Sequence, residues 1–300
     1  MRATRVTADL VAGSTHLTRP DKQEPAWRVF AVALIALLGL AAVTSALAQA
    51  QTFTVLYTFA GYPTDGASPI GGLVIDAAGA LYGTTTYGGD ANCPGSGIGC
   101  GTVFQLDTNG VETVLHNFRG PDGAHPSASL IRDAKGHLYG TTEFGGRLQD
   151  CTGSADNTTA GCGVVFKLSG NKETVLHRFC SVGNCTDGAE PWRGLVMDAS
   201  GALYGTTSSG GSVNGGVVFK LVSGKETVLH SFTGSPDGAF PEAGLIIDAN
   251  GNLYGTAIGG GELWIFGHGE DVAVRVDDHD SSRMGISPSA RSAHHGTPPS

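Results

Sequence analysis

Histidine and aspartate, the residues best suited to acid–base work or metal ligation, recur in this chain at related places. His116, His177 and His230 each end an E-T-V-L-H run, with Tyr57 at that point in an earlier partial copy. Asp65, Asp122, Asp187 and Asp237 each precede a glycine and lead on to a proline. Catalysis needs a group once. A side chain present in every copy is better explained by packing or by hydrogen bonding at a strand edge. One Asp-Gly per copy makes a turn, whereas calcium needs six to eight oxygens around it.

The places where the copies disagree are more informative. The loop entering each short apolar run carries Ser68, Ile70 and Gly71, then His125, Ser127 and Ala128. The next two carry Glu190, Trp192 and Arg193, and Phe240, Glu242 and Ala243. Arg132 also departs, standing where other copies have Ile75, Met197 and Ile247. His125, Arg132, Glu190, Trp192, Arg193 and Glu242 are expected to line a polar and aromatic ligand site on one face. An enzyme would need carboxylates or histidines converging from different copies, and only His125, Glu190 and Glu242 qualify. The chain has no GxSxG elbow, phosphate-binding loop or HExxH helix, so no catalytic residue and no cofactor is expected.

The six cysteines fall in three close pairs: Cys93 with Cys100, Cys151 with Cys162, and Cys180 with Cys185. An even count of this kind reads as the disulfides of an exported chain. A metal site is not expected, since no pair has C-x-x-C spacing and no histidine lies in those loops. Residues Val29 to Ala48 form an apolar run with basic residues before it and small ones after it. It reads as a signal peptide cleaved after Ala48 or Ala50, or as an uncleaved anchor, for about 20 apolar residues can span a bilayer. Either way the remainder is exported. The formal charge is −9, and the first 28 residues hold five basic and three acidic side chains, leaving about −11 for the rest. That acidic body has no electrostatic footprint for nucleic acid, and membrane contact is expected only through the N-terminal segment if it is uncleaved.

The elements that must position these residues are written four times: DAAGALYGTT from Asp76, DAKGHLYGTT from Asp133, DASGALYGTT from Asp198 and DANGNLYGTA from Asp248. Their tyrosines, Tyr82, Tyr139, Tyr204 and Tyr254, lie 57, 65 and 50 residues apart. In the third copy Gly194–Asp198 reads as a strand buried on both faces, followed by a tight D-A-x-G turn. Leu203–Thr207, Gly216–Leu221 and Glu226–Phe232 read as three further strands. A serial four-stranded meander predicts an all-β fold, a β-propeller built of four-stranded antiparallel blades. Residues 51–59 match the outermost strand alone, and the pattern breaks after Gly261. Two architectures fit, a closed four-bladed ring completed by the N-terminal strand and a partial arc of a larger propeller. The organisation is thus a targeting or anchor segment over 1–50, repeats over 51–266, and a polar tail over 267–300 expected to be disordered.

The units PDGAHPSASLIRDAKGHLYGTT and PDGAFPEAGLIIDANGNLYGTA, each type followed elsewhere by GVVFKL and ETVLH-x-F, resemble the bacterial GloVer tandem repeat. The resemblance implies an extracellular repeat protein. The expected function is an exported, non-enzymatic binding or interaction scaffold in the cell envelope or outside it, with a protein or glycan partner. The alternatives are a propeller-type hydrolase or lyase with its site at the channel mouth, and a degraded gene fragment.

Overall fold

A computed structural model describes residues 52–63, 65–90, 93, 97–147, 151, 161–260 and the backbone of 263–266. The N-terminal apolar stretch and the polar tail lie outside the described residues. The chain divides into two compact units, Met1–Thr54 and Val55–Ser300, and all of the strands belong to the second. No helix among the described residues is long and apolar enough to cross a membrane.

Each LYGT copy is the second strand of an antiparallel sheet. Blade 1 contains Val74–Ile75, Leu81–Thr85, Thr102–Leu106 and Glu112–Asn117, hydrogen-bonded in that order. Blade 2 contains Ile131–Arg132, Leu138–Thr142, Val164–Ser169 and Lys172–Arg178; blade 3 contains Val196–Met197, Leu203–Thr207, Val217–Val222 and Lys225–Ser231. A fourth sheet has three strands, Ile246–Ile247, Leu253–Thr256 and Leu263–Phe266. The fold is therefore all-β, with propeller-type four-stranded blades.

The D-x-x-G-x-L-Y motif is one hydrogen-bonded device. Asp198 Oδ1 accepts the N–H groups of Ser200 (2.8 Å) and Ala202 (3.0 Å), while Oδ2 accepts the Tyr204 hydroxyl at 2.9 Å. The same phenol-to-carboxylate bond recurs from Tyr82, Tyr139 and Tyr254 at 3.0, 3.1 and 3.0 Å. Although partial burial opposes it, hydrogen bonding from Ser200, Tyr204 and the backbone holds the Asp198 carboxyl down at about 2. Asp198→Ala strips four donors, the Ser200 N–H and hydroxyl, the Ala202 N–H and the Tyr204 hydroxyl, of their acceptor at once and is expected to lower the unfolding free energy by about 2 kcal/mol. Thermal melts check this, and a loss below about 0.5 kcal/mol would mean the turn holds without its carboxylate.

The glycine of LYGT is there for close approach. A Cβ on Gly140 would stand 2.7 Å from the Phe166 ring and 2.9 Å from Leu130, and Gly205 meets Phe219 and Leu195 in the same way. That approach lets each blade's core close over its neighbour. The apolar clusters lie between blades rather than within one. Val103 and Phe118 of blade 1 pack with Leu130, Leu138 and Phe166 of blade 2. Val165 and Phe179 of blade 2 pack with Leu195 and Phe219 of blade 3, and Val218 and Phe232 of blade 3 with Leu245 and Leu253.

Three expectations change. The innermost strands are only two residues long and partly or largely exposed, not buried on both faces; the buried residue is the leucine just before them, Leu130, Leu195 or Leu245. Residues 52–60 form no strand, for among the described residues no third strand lies alongside to supply a ladder. Conversely, Leu263–Phe266 does occupy the third-strand place after the repeat pattern fails, pairing from Thr256 with Leu263 to Leu253 with Phe266. Any run of strand-forming residues can complete a ladder whose bonds are all backbone.

Candidate functional site

The divergent loops are held by an invariant frame. Ser68, His125, Glu190 and Phe240 occupy one equivalent position, and all four are left-handed, with φ of 56°, 56°, 58° and 57°. The strained backbone follows from their bonding. The N–H groups of His125, Glu190 and Phe240 donate to the carbonyls of Cys100, Cys162 and Gly215 in the preceding blade, at 2.9, 2.8 and 2.7 Å. Their own carbonyls accept from Glu143, Ser208 and Ile258 of the same blade, at 3.2, 3.0 and 3.1 Å. One residue thus reaches both ways across the seam. The proline that comes next (Pro126, Pro191 or Pro241) seats its ring where a Cβ on Gly101, Gly163 or Gly216 would stand, 2.5–2.7 Å away.

Two of the disulfides belong to this frame. Cys93 pairs with Cys100 and Cys151 with Cys162, each with Cα atoms 5.3 Å apart. The fully buried Cys100 and Cys162 supply the carbonyls that hold His125 and Glu190. The third bridge, Cys180–Cys185, has Cα atoms 4.0 Å apart, and its sulfurs lie within 4.8 Å of those of Cys151 and Cys162. The first threonine of LYGTT ties the loop further in. Thr84, Thr141 and Thr206 donate to the carbonyls of Ala128, Arg193 and Ala243 in the following blade, at 3.0, 3.0 and 3.4 Å.

On that frame the structure brings three of the six expected residues together. The Arg193 guanidinium lies 5.5 Å from the centroid of the partly buried Trp192 ring, and its Nε donates to the Glu242 carbonyl of the next blade. Ser127 Oγ donates to the Trp192 carbonyl at 3.3 Å. The other three lie apart from this group. His125 is buried, with its ring edge-on to Tyr87 (4.9 Å) and Phe144 (5.6 Å). The Glu190 carboxylate accepts from Ser209 at 2.9 Å and Ser208 at 3.5 Å. Arg132 stands at the turn end of its strand, 5.8 Å from the Tyr82 ring of blade 1. In blades 2 and 3 the register sets Lys167 and Lys220 over Tyr139 and Tyr204, at 5.5 and 5.2 Å, whereas Tyr82 faces Gln105 and receives its cation from Arg132.

The repeated histidines and aspartates prove to be partners of one another. His116 meets Asp122 at 3.0 Å and His230 meets Asp237 at 3.1 Å; Tyr57 donates to Asp65 at 3.0 Å. His177 and Asp187 are 3.5 Å apart, a longer contact than in the other blades. Across the seam a glutamate of the next E-T-V-L run faces three of these pairs, Glu112 at Asp65, Glu173 at His116 and Asp122, and Glu226 at His177 and Asp187, and each buries a carboxylate oxygen without a hydrogen-bond partner. Burial pushes the Glu173 carboxyl up to about 7, against the pull of His116, and raises Glu112 and Glu226 as well. The sequence carried a signal for this network in the constant E-T-V-L-H run. Unequal loop lengths between histidine and aspartate hid the pairing. Among the described residues, two groups of three or more His, Cys, Asp or Glu place their ligand atoms within 4.8 Å of one another. One is the cysteine quartet of the second and third bridges, the other His116 with Asp122 and Glu173, and neither contains His125, Glu190 or Glu242.

Several solved structures are similar over part of their length. The gluconolactonase of Xanthomonas campestris is 18% identical at a TM-score of 0.36, over 65% of this chain and 58% of that one. A 6-phosphogluconolactonase-like protein of Bacteroides uniformis is 13% identical at 0.41, over 72% and 58%. The virginiamycin B lyase of Staphylococcus aureus is 14% identical at 0.37, over 70% of each chain. This chain therefore spans a little over half the length of the first two. No curated protein matches its sequence. Its own repeats match the Gloeobacter/Verrucomicrobia repeat over residues 41–152 and again over 152–270, and the chain belongs to that repeat family.

Proposed function

We propose that the chain is an exported, non-enzymatic interaction scaffold that binds a protein or glycan in the cell envelope or outside it, through the loops entering its innermost strands. One observation carries this reading. Glycine is the ordinary occupant of a left-handed position, yet four equivalent left-handed positions hold Ser68, His125, Glu190 and Phe240, four different side chains on one frame. Retaining a side chain where glycine would relieve strain favours selection for what the side chain does. Beside them, the partly buried Trp192 and exposed Arg193 offer a ring face and a fixed cation, a pairing suited to stacking a sugar or gripping an acidic or aromatic peptide. The three disulfides support an oxidising compartment.

The test is binding to arrayed envelope glycans and peptides, with the strongest hit titrated by calorimetry. Trp192→Ala and Arg193→Ala are each expected to weaken that hit at least about tenfold, the loss of an interfacial anchor. Unchanged affinity in both variants would move the site elsewhere.

A further inference from the structure

We propose that two copies of this chain associate head to tail, the fourth sheet of one docking on blade 1 of the other and taking residues 55–60 as its missing outer strand. The same interface occurs three times within one chain, as the seam between consecutive blades. At each seam the leucine before the inner strand is buried by the preceding blade: Leu130 is 2% exposed, Leu195 3% and Leu245 5%. Their equivalent on blade 1, Leu73, is 55% exposed, and Ile75 beside it is 65% exposed. From the other side, Val74, Ile131 and Val196 are covered by the following blade, while their equivalent Ile246 on the fourth sheet is 67% exposed. The two open faces are thus complementary by construction. Both are open in the same chain, so this chain's own described ends do not cover each other.

The strand count says the same thing independently. The fourth sheet has three strands and no outer one among the described residues. Residues 55–60 are the converse, a segment in the outer-strand place without the inner three strands. Phe59 sits edge-on to Phe104 at 4.9 Å, as Phe118 does to Phe166 (5.1 Å) and Phe179 to Phe219 (5.0 Å). Tyr57 meets Asp65 as His116 meets Asp122. This segment already lies on blade 1 in the pose of a preceding blade's outer strand, with Val55 and Leu56 exposed at 61% and 59%. A third strand brought alongside would give its backbone the ladder it lacks. Because the two faces differ, the contact is heterologous and either closes on itself or continues.

The experiment is sedimentation velocity on the full purified chain at micromolar concentration, with Leu73→Glu, Ile246→Glu and an equimolar mixture of the two. Both side chains are exposed, so neither change should shift the melting temperature of the single chain. The wild type is expected to sediment as a dimer or longer head-to-tail species and each variant as a monomer. Each variant keeps one sound face, so the mixture should form a dimer again. A wild-type monomer would overturn the proposal, with protection of Leu73 from solvent then pointing to another segment of the same chain as the occupant. Variants that associate like the wild type, or a mixture that stays monomeric, would overturn it equally.

Discussion

Phe166→Ala is expected to lower the unfolding free energy by about 3–5 kcal/mol, the usual cost of emptying a large, fully enclosed aromatic site. Phe166 is fully buried at the seam of blades 1 and 2. Its ring meets Phe118 of the preceding blade edge-on at 5.1 Å and fills the space over Gly140. Removing it opens a cavity and loosens one blade from the next, which matters in a fold where each sheet is stabilised chiefly by its neighbours. Gly140→Ala should also destabilise, by about 1–3 kcal/mol, because its methyl would press on Phe166 and Leu130. The two changes occupy the same space. In a double-mutant cycle the methyl should cost less when the ring is gone, giving a coupling of about 1 kcal/mol or more. Strict additivity in denaturant melts would show that Gly140 serves backbone flexibility and not the ring.

That glycine shows why much of the fold was legible in sequence. The four LYGT copies specify a turn, a strand and a close approach by local rules, and local rules are what a sequence displays. The Asp-to-Tyr bond spans six residues in every copy, so it repeats visibly. What lay hidden depended on contacts across the seam. Arg132 stood out in the sequence as a departure, while its place 5.8 Å from the Tyr82 ring, whose strand partner is the uncharged Gln105, could not be read there. His116 and Asp122 looked like separate repeats because the loop between histidine and aspartate differs in length from blade to blade. The inner strands read as buried because they are apolar, yet burial there needs a neighbouring blade, and Leu73 and Ile246 face none among the described residues. At the candidate site the divergent loop positions were readable, while their shared left-handed backbone was not. Glycine is the residue that announces that conformation, and here it is absent.

Glu173→Gln is expected to stabilise the protein at pH 8 and to change little at pH 5. Glu173 projects from the outer strand of blade 2 toward His116 and Asp122 of blade 1, with Arg178 nearby, and one of its oxygens is buried without a partner. Burial raises its carboxyl from 4.5 to about 7, so the folded state holds a proton that the unfolded chain releases. The stability tied to that proton is fully present below pH 4.5 and is lost as the pH rises through about 7. Each pH unit of such a difference is worth roughly 1.4 kcal/mol in full burial. Partly buried as Glu173 is, solvent screening leaves about 1–2 kcal/mol. Glu112 and Glu226 are raised in the same direction by the same cause, so two seams and the contact of blade 1 with the segment at Asp65 weaken together as the pH rises. The turn aspartates act oppositely: Asp133 and Asp198 sit at about 2, and their contribution, present above 3.8, is lost as the pH falls through that lower value. Stability should therefore peak at mildly acidic pH. Glutamine keeps the shape of the neutral carboxyl and cannot ionise. Melting curves of wild type and Glu173→Gln from pH 5 to pH 8 should diverge with rising pH, the variant staying level while the wild type falls. Parallel curves would mean that the seam carboxylate is solvated in the folded state and that burial at this junction does not set its charge.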